Sequence, residues 1–470
     1  MNISTPSRFS LPSGGSSVHD DRPISPSPFH TLARVLLIAT ICAAPWAFGA
    51  VQPWAWGTLM VLSLLALILW AGGCAHRGVL KIRWSPLYWP FLAFLILAAV
   101  QLFAGFTADH EATREAVLKI ITNLAFFFLA GQLLTSPDNG RALEWLGLIV
   151  TLLAFALCIL ALAQMSWGGG ARLIYWTFPV SVWPFGPYVN HNDYAGLMEM
   201  LLPISVAYIL SRSANASLRF LLWCGVGLVI ISIWISGSRG GTVVLVVEGL
   251  LLAGILIGPR PRGVSLPSSL VLLAVVLISA AVFSWMVSTG RVGNHAWSVF
   301  ETNRSLEVTF GDRIRVAIDT LHIVRSHPWM GVGVGCFEDV FPSYLTFPKD
   351  MHWSHAHNDL LEAVAETGLP GAVMILAGIV LFFLIAFRHL EGRLRHGRGW
   401  IQMGAAVGAV GLLCHSFVDF NLHIPANAAW FVVCLAIATH LRPAQQNPWK
   451  IIWDSSANQS SEFLTSRPLA

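Results

Sequence analysis

Residues 352–371 read His-Trp-Ser-His-Ala-His-Asn-Asp-Leu-Leu-Glu-Ala-Val-Ala-Glu-Thr-Gly-Leu-Pro-Gly. This stretch closes the longest polar interruption of the chain, and a new apolar run opens at its end. The border is informative because almost everything around the interruption is apolar. Of 470 residues, 55% are hydrophobic and only 11% are charged, whereas a soluble domain carries about 25% charged residues. The mean hydropathy is +0.66. Runs long enough to cross a hydrocarbon core of about 30 Å recur from residue 31 to residue 441. The chain therefore reads as an integral, polytopic membrane protein. In lipid only helices and closed barrels satisfy the backbone, and the strict alternation of a barrel is absent. The expected fold is all-α.

Twelve transmembrane helices are predicted, at 31–50, 54–73, 86–105, 116–134, 142–164, 193–211, 217–235, 241–257, 267–288, 369–387, 401–420 and 425–441. Residues 1–30, rich in Ser and Pro, read as a disordered cytoplasmic tail. Residues 31–288 hold spans one to nine, 289–368 form a large outer loop domain with short helices, 369–441 hold the last three spans, and 442–470 form a polar cytoplasmic tail. The first span can itself serve as the insertion signal, and no cleavable signal peptide is expected before it. Connections 74–85, 212–219, 258–266 and 388–399 are rich in Lys and Arg. With the amino terminus in the cytoplasm all four lie inside, as the positive-inside rule asks. The long connections 165–192 and 289–368 then lie outside, where chemistry on loops is expected. A net charge of +4 gives no reason to expect a nucleic-acid partner. Of the seven cysteines only Cys336 falls in the large polar loop, so no disulfide framework is indicated.

A bilayer protein has little reason to gather His352, His355 and His357 beside Asn358, Asp359, Glu362 and Glu366 unless the loop does chemistry. A histidine exchanges protons near neutral pH and suits the role of active-site base. The His-x-x-His-x-His spacing offers metal ligands by count, but no further ligand is spaced to complete a zinc site, so no metal is expected. Arg239 lies in Ser-Gly-Ser-Arg-Gly-Gly (236–241) at the outer end of a span. It reads either as an anchor for a lipid-linked phosphate, which a guanidinium grips bidentately, or as a snorkelling arginine at a tight turn. Residues 313–326 have helical spacing, with Ile314, Ala317, Ile318, Leu321 and Val324 on one stripe and a stop before Pro328. A short amphipathic helix against the membrane would present Arg313 near its start. Arg313 and Arg315 read either as ligand contacts or as a solvated face. Gly331, Gly333 and Gly335 predict a tight loop and not a dinucleotide fingerprint. Asn190 and Asn192 suit sugar hydroxyls or a helix cap equally. His415 and Asp419, four apart, are expected on one helix face inside the bilayer, where buried polar residues pair and are often functional; an interhelical hydrogen bond that fixes the packing is the simpler reading.

In combination these motifs resemble the O-antigen ligase and polymerase family of bacterial membrane glycosyltransferases. His357-Asn358, nine residues, then Gly368-Leu369-Pro370-Gly371 match the family's ligase motif. Arg239-Gly240 resembles its outer arginine, Arg313 its loop arginine, and the Asn190-to-Asn192 and His415-to-Asn427 segments are similar to further parts of it. The resemblance spans roughly residues 185–430. It implies a GT-C-like helical membrane fold and metal-independent, cofactor-free transfer of a glycan from an undecaprenyl-pyrophosphate carrier. Arg239 and Arg313 would hold the pyrophosphate, and His357 would take the proton of an acceptor hydroxyl. His355, Asn358, Asn190, Asn192 and Arg315 are the candidates for further substrate contacts. The partners implied are the lipid-linked donor, a lipid-linked or glycan acceptor such as the lipopolysaccharide core, and membrane lipid. The location implied is the bacterial inner membrane with the site facing the periplasm. A polymerase joining repeat units on the same carrier would use the same residues. A transporter is disfavoured, because no internal repeat is visible and the densest polar chemistry lies at the outer surface.

Overall fold

The computed structural model describes residues 27–135, 142–166, 172–173, 176–177, 184–211, 216–257, 310–347, 352–388, 390–394, 396–440 and 449–452, with isolated positions between 274 and 285. The described chain is almost wholly helical. Its helices are α1 (Pro28–Ala43), α2 (Pro53–Arg77), α3 (Tyr88–Ala104), α4 (His110–Leu133), α5 (Ala142–Ser166), α6 (His191–Ser211), α7 (Ala216–Ile235), α8 (Arg239–Ile257), α9 (Phe310–Ser326), α10 (Phe337–Val340), α11 (Asp359–Ala386), α12 (Leu390–Leu394), α13 (Gly397–His415) and α14 (Pro425–Ala438). Two short antiparallel pairings, Val79–Ile82 with Trp449–Ile452 and Arg172–Leu173 with Trp176–Thr177, are the strands among the described residues.

Among the described residues eight helices are long and apolar enough to cross a membrane, and α3 and α14 are shorter apolar helices. Every predicted span but one coincides with a helix; the exception, 267–288, lies outside the described residues. The protein is a polytopic helical membrane protein. Its outer faces carry Val61, Ile68, Ile96, Ile159, Leu376 and Leu384, all about 60% exposed, which is the surface that hydrocarbon would cover. The centre is α6, buried over nearly its whole length, and its principal neighbour is α13. The two approach closely because α13 carries glycines on the contact face. A Cβ on Gly404 would lie 2.6 Å from the Pro203 carbonyl oxygen, and one on Gly408 would lie 2.8 Å from that of Met200. This is the Gly-x-x-x-Gly mode of helix contact, with the spacing 404–408 read directly in the sequence.

Two helix boundaries position the polar groups. First, α11 is two helices joined at Gly368, whose φ of 65° and ψ of −164° suit glycine alone. Residues 359–367 form a polar helix, and Leu369–Ala386 form the apolar span, with Pro370 in its first turn where a missing N–H does no harm. Second, α13 ends at His415, short of the expected 420. The carbonyls of Ser416 and Asp419 both accept from the Asp359 N–H, at 2.9 and 3.2 Å. They are drawn out of the helical pattern by another element, so Asp419 stands beyond the helix end and not on its face.

The segment around α9 and α10 has its own small core of Val316, Ile323, Val332, Cys336, Phe337, Phe341, Trp353, Ala356 and Ala365. Within α9, Val316 and Ile323 turn inward and Asp319 accepts from the Thr346 N–H at 2.9 Å. The apolar stripe of Ile314, Ile318 and Leu321 faces outward at 42–50% exposure, the side that a lipid surface would meet. Gly331, Gly333 and Gly335 all have positive φ. Their loop threads between the Glu366–Thr367 backbone and Thr107 with no room for a Cβ, which pins this small core onto α11 and the turn before α4.

Candidate active site

The site is assembled where helices begin and end. Ser238 caps α8, its Oγ accepting from the Gly241 N–H at 3.1 Å, and this sets Arg239 at the first helical position. Gly240 follows because a Cβ there would lie 2.5 Å from His415 Nε2. The end of α13 and the start of α8 therefore touch. His415 is fixed from its other nitrogen: Nδ1 lies 2.9 and 3.0 Å from the two carboxylate oxygens of Glu199 on α6. Arg239 itself is exposed and makes no hydrogen bond or ion pair among the described residues.

Asp419 is the hub. It is fully buried, and its Oδ1 lies 3.4 Å from His357 Nδ1 while its Oδ2 lies 3.5 Å from Arg313 Nη2. A second nitrogen of Arg313, Nη1, donates to the Val418 carbonyl oxygen at 2.5 Å. Burial alone would raise the Asp419 carboxyl. The hydrogen bond from His357 and the charge of Arg313 outweigh it and hold the group below the usual carboxylate range. The carboxylate is thus anionic, and His357 is oriented with Nδ1–H toward it, leaving Nε2 free. His357 has a left-handed backbone with φ of 52°, a conformation histidine tolerates better than most residues and one that often marks a functional position. The edges of Trp353 and Phe420 flank its ring at centroid distances of 5.8 and 5.0 Å. His191, at the start of α6, is close enough for Asp419, Arg313 and His415 to act on it electrostatically.

The three histidines of 352–357 go to three different carboxylates. His352, on the surface, bonds Glu338 at 2.5 Å. His355 bonds Glu362 at 2.9 Å, and His357 faces Asp419. Beside them His423 places Nδ1 2.8 Å from Asp359 and Nε2 3.2 Å from Glu362. Burial would lower its imidazole, but Glu362 and Asp359 push it up to about 10. This second cluster faces a cavity of about 1000 Å³ that runs down between α3, α4, α11 and α14.

Of the residues singled out in the sequence, the structure gathers Arg313 and His357 on Asp419, sets Arg239 next to the His415 contact, and puts His355 in the adjacent cluster. Asn358 caps α11, its Oδ1 accepting from the Leu361 N–H at 2.9 Å. Asn190 likewise accepts from the Asn192 N–H at 2.9 Å, and Asn192 is buried. Arg315 is exposed, two residues on from Arg313 and so on another side of α9.

Residues 224–376 match the family model described as O-antigen ligase. Over that segment, about a third of the chain, the protein is similar to this family. The match contains Arg239, Arg313, His355, His357 and Asn358, while Asp419, His415 and His423 lie beyond it. No curated protein matches the chain. The apolar helices mark a multi-pass membrane protein, and the segment holding Arg239, Arg313 and His357 is the part similar to O-antigen ligases.

Proposed function

We propose that the protein transfers a glycan from an undecaprenyl-pyrophosphate carrier to an acceptor hydroxyl at the periplasmic face of the inner membrane. The observation that carries the reading is the single buried carboxylate of Asp419 joined to both His357 and Arg313. It joins an imidazole and a guanidinium, groups suited to act as a base and as a phosphate-binding cation, in one ion-pair network. In this reading the acceptor oxygen attacks the anomeric carbon of the bound glycan while His357 Nε2 takes its proton. The glycosyl C–O bond to the pyrophosphate breaks, and the departing oxygen keeps the electron pair. Arg313 uses two of its nitrogens on Val418 and Asp419, so further N–H groups remain to meet phosphate oxygens. Arg239, exposed and without a protein partner among the described residues, supplies the second guanidinium. Two arginines against one aspartate leave a net positive site, which favours a doubly anionic leaving group. Asp419 orients His357 and stabilises the imidazolium that forms, as the acid of a catalytic triad does. The charge of the leaving group is met by guanidinium groups, so the transfer step itself calls on no metal.

The test is to incubate purified protein with a lipid-pyrophosphate oligosaccharide and candidate acceptors, including lipid A-core, and to weigh the products. Glycan on the acceptor, absent with His357→Ala, supports the reading. A ladder of repeat units on the carrier would assign polymerisation to the same residues. Wild-type turnover by His357→Ala would remove the base from His357.

A further inference from the structure

The cluster beside the transfer site gathers donor atoms of two histidines and a glutamate into one small volume. Glu362 directs one oxygen, Oε2, to the Ala356 N–H at 2.6 Å. Its other oxygen, Oε1, is the meeting point of His355 Nδ1 at 2.9 Å and His423 Nε2 at 3.2 Å. His423 presents both ring nitrogens to carboxylates, because its Nδ1 already lies 2.8 Å from Asp359 Oδ1. Asp359 is held in turn by the Ser416 hydroxyl at 2.7 Å and the Leu422 N–H at 3.1 Å. Two imidazoles and two carboxylates thus converge on shared atoms, and a cation is needed between His423 Nε2 and Glu362: either a proton on the ring or a metal ion held by the same atoms.

We propose that His355, Glu362 and His423 form a divalent-metal site of the zinc class. The ligand atoms all lie within 4.8 Å of one another, and across a tetrahedral zinc with bonds near 2.0–2.2 Å they would be about 3.4 Å apart. Only small side-chain movements separate the present arrangement from ligation. Asp359 then has the role of the carboxylate that fixes the tautomer and direction of a metal-bound histidine. Two histidines and one glutamate leave a fourth position open, and here it opens onto the cavity of about 1000 Å³ that Glu362, His355 and His423 all line. The cavity is apolar further down, where Phe91, Phe126, Met374 and Phe382 line it. The metal would therefore present an open coordination site to the anionic or hydroxyl head of an amphiphile. The donor set draws His355 from one side of the loop, Glu362 from the polar turn of α11 and His423 from the segment before α14, so the ion would also tie these three elements together.

The assignment is independent of the transfer mechanism and is tested without an activity assay. Metal-free full-length protein in detergent is titrated with Zn²⁺ and with Co²⁺, reading bound metal by elemental analysis, Co²⁺ by its visible absorption, and thermal stability by melting. The expected result is one tightly bound equivalent per chain, an intense four- or five-coordinate Co²⁺ spectrum, and a rise of melting temperature with Zn²⁺. All three should be lost in His423→Ala and in Glu362→Gln. His355→Ala serves as the third variant, since His355 is partly exposed and its removal disturbs folding least. No bound equivalent in the wild type, an octahedral Co²⁺ spectrum, or stoichiometry unchanged in a folded His355→Ala variant would overturn the assignment and leave a proton as the cation between His423 and Glu362.

Discussion

Asp419→Asn isolates the central claim, because it keeps the shape of the hub and removes its charge. The carboxylate stands 3.4 Å from His357 Nδ1 and 3.5 Å from Arg313 Nη2. In the proposed reaction His357 takes the acceptor's proton, and an imidazolium then forms beside it. At an effective dielectric constant of about 20, two unit charges at this distance attract by roughly 5 kcal/mol. An asparagine dipole recovers part of this, and the edge of the site is open to water, so a net loss of about 3 kcal/mol, or roughly 100-fold in kcat, is the reasoned magnitude. Arg313 changes in the opposite sense. Freed from its counter-ion, it has more charge to offer a pyrophosphate, so KM for the donor should stay level or fall. The assay is initial-rate transfer by purified protein with the lipid-linked donor varied at saturating acceptor, beside a melting curve to confirm folding. A folded variant whose kcat is intact while KM rises would refute the argument, because Asp419 would then serve donor binding and not the base.

The same geometry sets four further outcomes. The folded-state pKa of Asp419 lies below its unfolded value, so its stabilising contribution is present above the unfolded pKa of about 3.9 and lost as pH falls toward the folded value. The difference in melting temperature between wild type and Asp419→Asn should be constant near neutrality and shrink below about pH 4. Arg239→Lys keeps the charge and loses the fork, and transfer should fall about 10- to 100-fold, mainly through weaker donor binding; unchanged KM and kcat would make this arginine structural. His357→Ala should lower kcat by about 10²–10⁴, the usual span of general base catalysis, with donor binding measured by equilibrium titration unaffected. Gly368→Ala would place a Cβ 2.7 Å from the Pro328 carbonyl oxygen at a φ of 65°, and the detergent-extracted protein should melt lower, at a strain of about 1–3 kcal/mol or more.

Much of the bundle was legible because lipid imposes length and composition on each span, and the periodic runs from 54–73 to 217–235 record both directly. The ends were less legible. The chain between His415 and Asp419 is apolar enough, with Phe417 and Val418, to read as continuing helix. It ends where other elements take up its groups, the Asp359 N–H reaching the Ser416 and Asp419 carbonyls and Arg313 the Val418 carbonyl. That tertiary capture moves Asp419 from a helix face to the hub. Arg313 and His357 can be nominated from residue type and motif, but their common partner stands 62 residues beyond His357 and carries no local signature. His423 carries none either. The histidine spacing at 352–357 points to ligands nearby in sequence, whereas the structure turns His352 and His357 to other carboxylates and brings Glu362 and His423 to His355.

The placement of these groups reflects what the bilayer allows. A charged side chain at mid-membrane is costly, yet the proposed glycosyl transfer calls for arginines and a base beside the membrane surface. The proposed functional residues accordingly collect at helix boundaries. Arg239 begins α8, His415 ends α13, Arg313 lies in the first turn of α9, and His357 precedes α11. Each boundary is made by a small local device: the Ser238 cap, the carbonyls surrendered after His415, the Asn358 cap, and the Gly368 break that lets a polar helix precede an apolar one. The glycines at 240, 404 and 408 then bring the boundaries within side-chain reach. Glu199 is the exception that fits the rule. It lies inside α6, but it meets His415 as a paired ionisable group facing the bundle interior, and so it fixes the orientation of the one histidine against which Gly240 is packed.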